Sequence, residues 1–109
     1  MSELAQRMCR HMPAGTPPLA QAKIDSHLAQ IPGWKHEDGA INKTFSFKNY
    51  YETMAFVNGV AWIAHRENHH PDMRVGYDTC RVAYATHSVG GISDNDFICA
   101  AKIEALCKL

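Results

Sequence analysis

The chain has 109 residues, which is enough for one domain and too few for two. Hydrophobic residues make up 46% of it and charged residues 20%, so enough apolar surface exists to offset chain entropy, and a largely disordered protein is excluded. Eleven basic residues balance eleven acidic ones, so a basic face that would bind nucleic acid directly is not expected. No apolar run approaches the roughly 18 residues that a membrane-spanning helix needs.

The cysteines and the N-terminal residues indicate a cytoplasmic protein. None of the four cysteines forms a C-x-x-C pair, and residues 1–15 lack the apolar block of a secretory signal. Reduced, partly buried thiols are expected in that setting. We expect residues 1–15 to be poorly ordered, as free termini often are, and residues 16–109 to form the single domain.

The first third of the chain predicts a helix and a β-hairpin. Thr16 precedes two prolines, a pattern typical of a helix N-cap, and the helix is expected to end before Pro32. The Asp-Gly pair at 38–39 is a strong signal for a two-residue hairpin turn. It predicts one strand over residues 34–37 and a return strand over residues 41–47.

The middle of the chain predicts a second, largely buried helix. Asn49 with Glu52 three positions later resembles a capping box, which marks the start of a helix. Apolar residues then continue to about Asn68, and Pro71 cannot extend the helix further.

A second hairpin and a third helix complete the chain. Alternating side chains predict strands near residues 73–77 and 82–87, and Ser93 with Asp96 resembles a capping box at the start of the last helix. The order of elements is α-β-β-α-β-β-α. It predicts an α+β fold, with a four-stranded antiparallel sheet and three helices packed on one face.

Three histidines are predicted to lie close together. His69 follows His65 by four residues near the end of the second predicted helix, so the two share a helix face, and His70 comes next. If the second hairpin turns between residues 78 and 79, His70 lies opposite His87, with backbones roughly 5 Å apart. This prediction depends on the register, because a slip of one residue would turn His87 to the other face.

Clustered imidazoles suit proton transfer near neutral pH, since an unperturbed histidine titrates near ~6.5. The cluster could also bind zinc, but adjacent His69 and His70 do not readily reach one ion and no H-E-x-x-H spacing occurs, so no metal site is predicted. Simpler roles stay open as well. A single histidine is commonly a surface or hydrogen-bonded residue, and Asp96 is explained by its capping box alone.

A longer pattern surrounds these histidines. It consists of His65, His69-His70-Pro71, Tyr77, Thr86-His87, Gly91-Ile92-Ser93 and Asp96, preceded by Ile31-Pro32-Gly33-Trp34 and Phe45-Ser46-Phe47. The pattern closely resembles the signature of the pterin-4a-carbinolamine dehydratase family, and the resemblance covers residues 16–107. It implies the same order of helices and strands, association as a homo-dimer or homo-tetramer, and no cofactor.

The resemblance further implies an enzyme, a carbon–oxygen lyase that removes water from 4a-hydroxytetrahydropterin to give quinonoid dihydropterin during tetrahydropterin recycling. The catalytic residues carried over are His69, His70 and His87. In this interpretation His69 is the acid on the 4a-hydroxyl group, His87 is its partner in the proton balance, and His70 mainly orients the pterin. The reaction needs a general acid and a base, and no redox cofactor or metal is implied.

Four further residues are expected to contact the substrate: His65, Asn68, Met73 and Asp96. The family often has carboxylates at the first two positions and an aromatic residue at the third. The neighbouring imidazoles are therefore expected to be less readily protonated here, and stacking on the pterin to be weaker. The alternative function is non-enzymatic, because some members of this family are dimerization cofactors for a homeodomain transcription factor.

Overall fold

The computed structural model describes residues 3–108, so the ends of the predicted segments 1–15 and 16–109 lie partly outside the described residues. The helices and strands are α1 Gln21–Leu28, β1 Lys35–Glu37, β2 Ala40–Ser46, α2 Tyr50–Glu67, β3 Asp72–Val75, β4 Thr79–Tyr84 and α3 Asp94–Leu106. Short 3-10 helices occur at Leu4–Gln6 and His87–Val89. The predicted α+β order is confirmed. Within residues 3–108, no helix is both long and apolar enough to cross a membrane.

The four strands form one antiparallel sheet in the order β1-β2-β4-β3. On β4, Cys80, Val82 and Tyr84 are fully buried and belong to the hydrophobic core that the helices cover. The alternate residues Arg81 and Ala83 lie on the opposite face, because successive side chains of a strand point to opposite sides. We call that second face the open face of the sheet.

The first hairpin has the predicted turn. Asp38 and Gly39 have φ angles of 54° and 75°, the two positive values that a type I′ turn requires. A carboxylate of α3 ties this hairpin to the helical layer, since Glu104 Oε2 accepts hydrogen bonds from Trp34 Nε1 at 3.0 Å and from Lys43 Nζ at 2.8 Å. The sheet is thereby held against α3, the helix that also carries Asp96.

Helix α1 begins later than predicted. Thr16 is not its N-cap, because the helix begins at Gln21 after Ala20, whose backbone is extended. Prolines disfavour helical backbone in the residue before them. Leu19 N–H also donates to the carbonyl of Ile92 at 2.9 Å, which holds this stretch extended against a distant part of the chain. The N-cap prediction is wrong because that contact is not visible in the local sequence.

The second hairpin turns one residue earlier than predicted. Val75 pairs with Cys80, and Gly76 N–H donates to the carbonyl of Thr79 at 2.8 Å, so residues 77–78 form the turn. A side chain at Gly76 would lie 3.2 Å from the Thr79 hydroxyl oxygen, which makes glycine the residue that best fits this close approach.

Hydrogen bonds from other elements hold the turn in this register. The carbonyl of Tyr77 accepts from the Thr53 hydroxyl group at 2.9 Å, and the carbonyl of Asp78 accepts from Phe47 N–H at 2.7 Å. Both donors are distant in sequence. The position of the turn is therefore fixed by tertiary contacts and not by the turn residues themselves.

His70 and His87 are consequently not cross-strand partners, and that prediction is wrong. The ladder between β3 and β4 begins at the pair Asp72–Ala83, so both histidines lie beyond its end. The shift along β4 amounts to two residues, which leaves side chains on the same face of the sheet. The two histidines can therefore still meet on the open face.

Both predicted helix N-caps are observed, although Glu52 accepts from Lys48 N–H at 3.0 Å and the full capping box is that of α3. Asn49 Oδ1 accepts from Glu52 N–H at 2.9 Å and starts α2, and the capping box of Ser93 and Asp96 starts α3. Helix α2 ends at Asn68, whose φ of 52° places it in the left-handed region. This residue turns the chain sharply just before the two adjacent histidines.

The N-terminal segment, predicted to be poorly ordered, lies against α3. Leu4 is fully buried, and Lys102 Nζ donates to the carbonyl of Ala5 at 2.9 Å. Asn95 makes two hydrogen bonds with the backbone of Arg10, at 3.1 and 2.7 Å. Termini that are tied down in this way are usually ordered, so these contacts favour an ordered segment.

Asp94 links this segment to α1. Its carboxylate accepts from Arg7 Nη2 at 3.3 Å and lies 3.0 Å from His27 Nε2. Burial acts to raise the pKa of Asp94, but the hydrogen bonds from His27 and Arg7 outweigh it and hold the pKa below its ordinary value. The ionised carboxylate therefore stabilises the folded state.

Acid should weaken this link. Because the folded pKa of Asp94 is lower than its unfolded value of about 3.9, its stabilisation is present above about pH 4 and is lost as the pH falls through the folded pKa. Urea denaturation at decreasing pH measures this loss, which Arg7→Gln should reduce. Arg66→Gln is the control, since Arg66 forms no ion pair with residues 3–108. Identical pH dependence in Arg7→Gln and the unmodified protein would contradict this assignment.

Candidate active site

Two segments meet at one end of the sheet, and we call residues 68–70 and 86–88 the histidine corner. The first segment joins α2 to β3, and the second follows β4. The side chains of the adjacent residues His69 and His70 lie on different sides of the backbone. His69 contacts α3 and the core face of β4, whereas His70 lies on the open face with His87.

On the α3 side, His69 forms a short pair with a buried carboxylate. His69 Nε2 lies 2.6 Å from Asp96 Oδ1, and the Asp96 side chain is fully buried. The other oxygen, Oδ2, accepts from Ser93 N–H at 2.9 Å and from the Thr86 hydroxyl group at 2.9 Å. Asp96 is therefore an acceptor for three groups, and the network assigns the proton to Nε2 of His69.

This assignment leaves Nδ1 as the basic nitrogen of neutral His69. Among residues 3–108, Nδ1 of His69 has no hydrogen-bond partner. The imidazole is stacked on Tyr84, with ring centroids 5.6 Å apart and planes 15° apart. Burial, ahead of the neighbouring Cys99, raises the pKa of Tyr84, so its phenol stays neutral. Asp96 thus fixes the Nε2 edge of the imidazole and Tyr84 covers one face of the ring. Nδ1 is therefore held in one orientation and is available for proton transfer.

An open pocket of about 320 Å³ adjoins this imidazole. Its size is at the lower end of small-molecule sites, which are roughly 300–1,000 Å³. The lining consists of Cys9, Arg10, His11, Met12, Glu67, Asn68, His69, Thr86, Ser88 and Asn95. Both segments of the histidine corner contribute to it, and the N-terminal segment forms the opposite wall.

His70 and His87 line a second, smaller pocket on the open face, of about 50 Å³. His70 Nδ1 lies 3.3 Å from the carbonyl of Pro71. Asp72 and Ala83, the first pair of the β3–β4 ladder, line this pocket as well. The same pair lines an adjoining cleft of about 320 Å³, so the small pocket continues into a larger one across the sheet.

The remaining predicted site residues fall in different places. Asn68 lines the pocket beside His69. Met73 borders the cleft, but it pairs with the buried residue Val82 and packs against the hydrophobic core. Asp96 is fully buried behind His69 and contacts protein groups. His65 is exposed and lines neither pocket; its ring packs against Trp62 with centroids 5.4 Å apart.

Sequence reasoning missed two components of this site. Thr86 belongs to the pattern that carried the resemblance, but only the structure shows its hydroxyl group on Asp96 and 2.7 Å from the Ser93 hydroxyl oxygen. Tyr84 lies on the core face of β4 and is stacked with His69. No local pattern indicates that the segment after α2 brings His69 onto that face, so the stacking could not be inferred.

Two cysteines lie behind the pocket of His69. Cys9 Sγ is 3.5 Å from Cys99 Sγ, and the hydrogen bond with Cys99, with burial second, raises the pKa of the Cys9 thiol. Within residues 3–108, no three side chains of His, Cys, Asp or Glu are grouped so that they could hold a metal ion.

The fold is that of a small α+β protein with an open pocket beside a paired histidine and carboxylate. The family model described as pterin 4 alpha carbinolamine dehydratase matches residues 17–106. A relative from Nitrosomonas europaea named for that activity is 56% identical over 107 residues, covering 97% of this chain and 95% of the relative. Another from Nitrosospira multiformis is 53% identical over 109 residues, covering 100% and 96%.

A solved structure has the same fold. The crystal structure of a transcriptional coactivator/pterin dehydratase from Brucella melitensis is similar with a TM-score of 0.78 at 30% identity, covering 82% of this chain and 97% of that chain. The chain belongs to the pterin-4a-carbinolamine dehydratase family, a family of lyases. The resemblance found in the sequence is thereby confirmed.

Proposed function

We propose that this protein dehydrates 4a-hydroxytetrahydropterin to quinonoid dihydropterin in the cytoplasm, as a step in tetrahydropterin recycling, with no cofactor of its own. The observation that carries the proposal is the pair of His69 and fully buried Asp96 beside an open pocket, in a chain of this family. Such a pair supplies an oriented imidazole, which is what the reaction requires.

The reaction is balanced in protons. The bond between C4a and the hydroxyl oxygen breaks, the oxygen takes up a proton and leaves as water, and N5 loses its proton. A general acid is therefore needed at the departing oxygen and a base at N5. Positioned imidazoles typically supply roughly 10²–10⁴-fold in rate for such transfers.

We assign these tasks within the histidine corner. His69 is the acid at the 4a-hydroxyl group, because the Asp96 carboxylate holds its Nε2 edge and its ring lines the open pocket. His87 is its partner in the proton balance, and His70 mainly orients the pterin from the open face; these roles require the pterin to reach both the pocket of His69 and the pocket of His70 and His87. The support for the second and third assignments is the pocket that these two residues share.

We also propose that the protein acts as a homo-dimer or homo-tetramer. Helix α2 presents Tyr51 and Trp62 with 82% and 60% of their surfaces exposed. The two positions are eleven residues apart and share one side of the helix. Large exposed apolar side chains in such a row are typical of association surfaces.

The test is the rate at which 4a-hydroxytetrahydropterin, generated by a pterin-dependent hydroxylase or chemically, disappears in stopped-flow absorbance. Adding the native protein at catalytic concentration should accelerate the loss well above the buffer rate, with saturation in pterin. Heat-denatured protein is the control. A rate equal to that of buffer would favour the non-enzymatic dimerization module and contradict the proposal.

A further inference from the structure

Two arginines lie directly opposite each other on the open face. Arg74 of β3 and Arg81 of β4 are cross-strand partners in the observed register. Both line the cleft of about 320 Å³ that continues from the pocket of His70 and His87. Like charges in directly opposed positions destabilise a sheet, so this pair is costly when nothing neutralises it.

Neither guanidinium group is neutralised by the described part of the chain. Within residues 3–108, Arg74 and Arg81 form no ion pair and no side-chain hydrogen bond. The carboxylates of Glu37, Asp38 and Asp72 line the same cleft, but none forms an ion pair with either arginine. The guanidinium groups of both residues therefore have no acceptor within residues 3–108.

The spacing along β3 and β4 between the histidine corner and the arginine pair suits a ligand that contacts both. The pair Asp72–Ala83 lines both the histidine pocket and the cleft, and Arg74 and Arg81 are two residues further along their strands. Two residues of a strand span roughly 7 Å. His70 precedes Asp72 by two residues, so Arg74 is four residues from His70, roughly 13 Å along an extended chain. A pterin ring at the histidine corner, a charged group on its C6 side chain and the length of an arginine side chain together span this distance.

We propose that Arg74 and Arg81 bind an anionic group, a phosphate monoester or a carboxylate, on the C6 side chain of the pterin. The inference rests on the proposed function, because it takes the ring to lie at the histidine corner. Paired guanidinium groups match the oxygens of either anion with parallel, charge-assisted hydrogen bonds. The carboxylates of Glu37, Asp38 and Asp72 line the same cleft, so the anion is expected to be held by direct contact with the two guanidinium groups and not by a general positive charge of the cleft.

Binding of stable, fluorescent pterins tests this inference without turnover. The probes are 6-hydroxymethylpterin, its monophosphate ester and 6-carboxypterin, titrated at low salt into the full chain. We expect at least one of the two anionic probes to bind about tenfold or more tightly than the neutral alcohol, and the preference to shrink as salt is added. The anionic probe that binds more tightly shows whether the site recognises a phosphate monoester or a carboxylate.

The double variant Arg74→Gln/Arg81→Gln should lose this preference and keep its affinity for 6-hydroxymethylpterin. Arg66→Gln on α2 is the matched control, because it removes a positive charge on the helical layer and should retain the preference. Circular dichroism verifies that each variant is folded. Equal affinities for all probes in the native protein, or a preference that survives in the double variant, would overturn the inference.

The dehydration assay separates this inference from the proposed function. Turnover without any preference for anionic probes would overturn the anion site alone. A preference for anionic probes without turnover would support the anion site and contradict the dehydratase. A double variant that changes its sedimentation and keeps the preference would place the arginines at a subunit contact and likewise overturn the inference.

Discussion

Replacing His69 with alanine is expected to lower kcat for carbinolamine dehydration by roughly 10²–10⁴-fold while KM changes little. The imidazole is fixed by Asp96 at 2.6 Å and by Tyr84 on its face, and its proposed task is proton transfer in the transition state and not general affinity. An interaction made only in the transition state appears in kcat. Steady-state kinetics on pterin carbinolamine measures the two constants separately.

The same kinetic measurement should distinguish the roles of His70 and His87. His87→Ala should lower kcat in the same direction, whereas His70→Ala should mainly raise KM, because its proposed role is to orient the ring. His36→Ala is the control, since this residue is exposed on β1 and lines none of the pockets beside the corner. Native kcat in both His69→Ala and His87→Ala would contradict the assigned roles.

Replacing Asp96 with asparagine is expected to lower kcat by about 10²-fold, with the protein still folded. The amide oxygen can replace Oδ2 and keep the bonds from Ser93 N–H and Thr86, which leaves the amide nitrogen facing His69. An amide nitrogen is a donor, so His69 must then carry its proton on Nδ1. The ring then lacks the carboxylate that fixes its tautomer and orientation, so proton transfer to the 4a-hydroxyl group should be slower.

Thr86 variants isolate this positioning effect. Thr86→Ser keeps the hydroxyl group on Asp96 and should keep most of the activity, whereas Thr86→Val removes it and should lower kcat. The pH dependence of kcat adds a readout that a purely structural role would not move, since Asp96→Asn should shift the acidic or basic limb of the profile. An unchanged pH profile in Asp96→Asn would argue against its role on His69.

The elements with strong local signals could be predicted from the sequence. The Asp-Gly turn at 38–39 needs two positive φ angles, which few other pairs tolerate. The caps at Asn49 and Ser93 are side-chain-to-backbone bonds within one helical turn, so nothing distant is required. The order of helices and strands, the fold class and both helix N-caps could therefore be predicted from interactions between residues that are close in sequence.

The structure differs from the predictions at elements whose ends are fixed by tertiary contacts. Bonds from Phe47 and Thr53 fix the second hairpin turn at residues 77–78, and a bond to Ile92 delays the start of α1. Neither contact has a local signature. The N-terminal segment gave no strong pattern either, and yet it forms one wall of the pocket of His69.

The sequence indicated that histidines lie near one another, but it did not indicate how they are arranged. His70 and His87 do share a pocket, although not through the predicted pairing, because a two-residue shift preserves the face of a strand. His69 lines a different pocket, since the left-handed turn at Asn68 sends adjacent side chains to different sides. His65 is displaced from both by its position on the exposed side of α2.

The most direct measurement compares carbinolamine loss catalysed by the native protein with that catalysed by the folded double variant His69→Ala/His87→Ala, in one stopped-flow experiment. The predicted result is saturable acceleration by the native chain and, for the double variant, decay at the rate of buffer. Equal acceleration by both proteins would contradict catalysis by the imidazoles of the histidine corner.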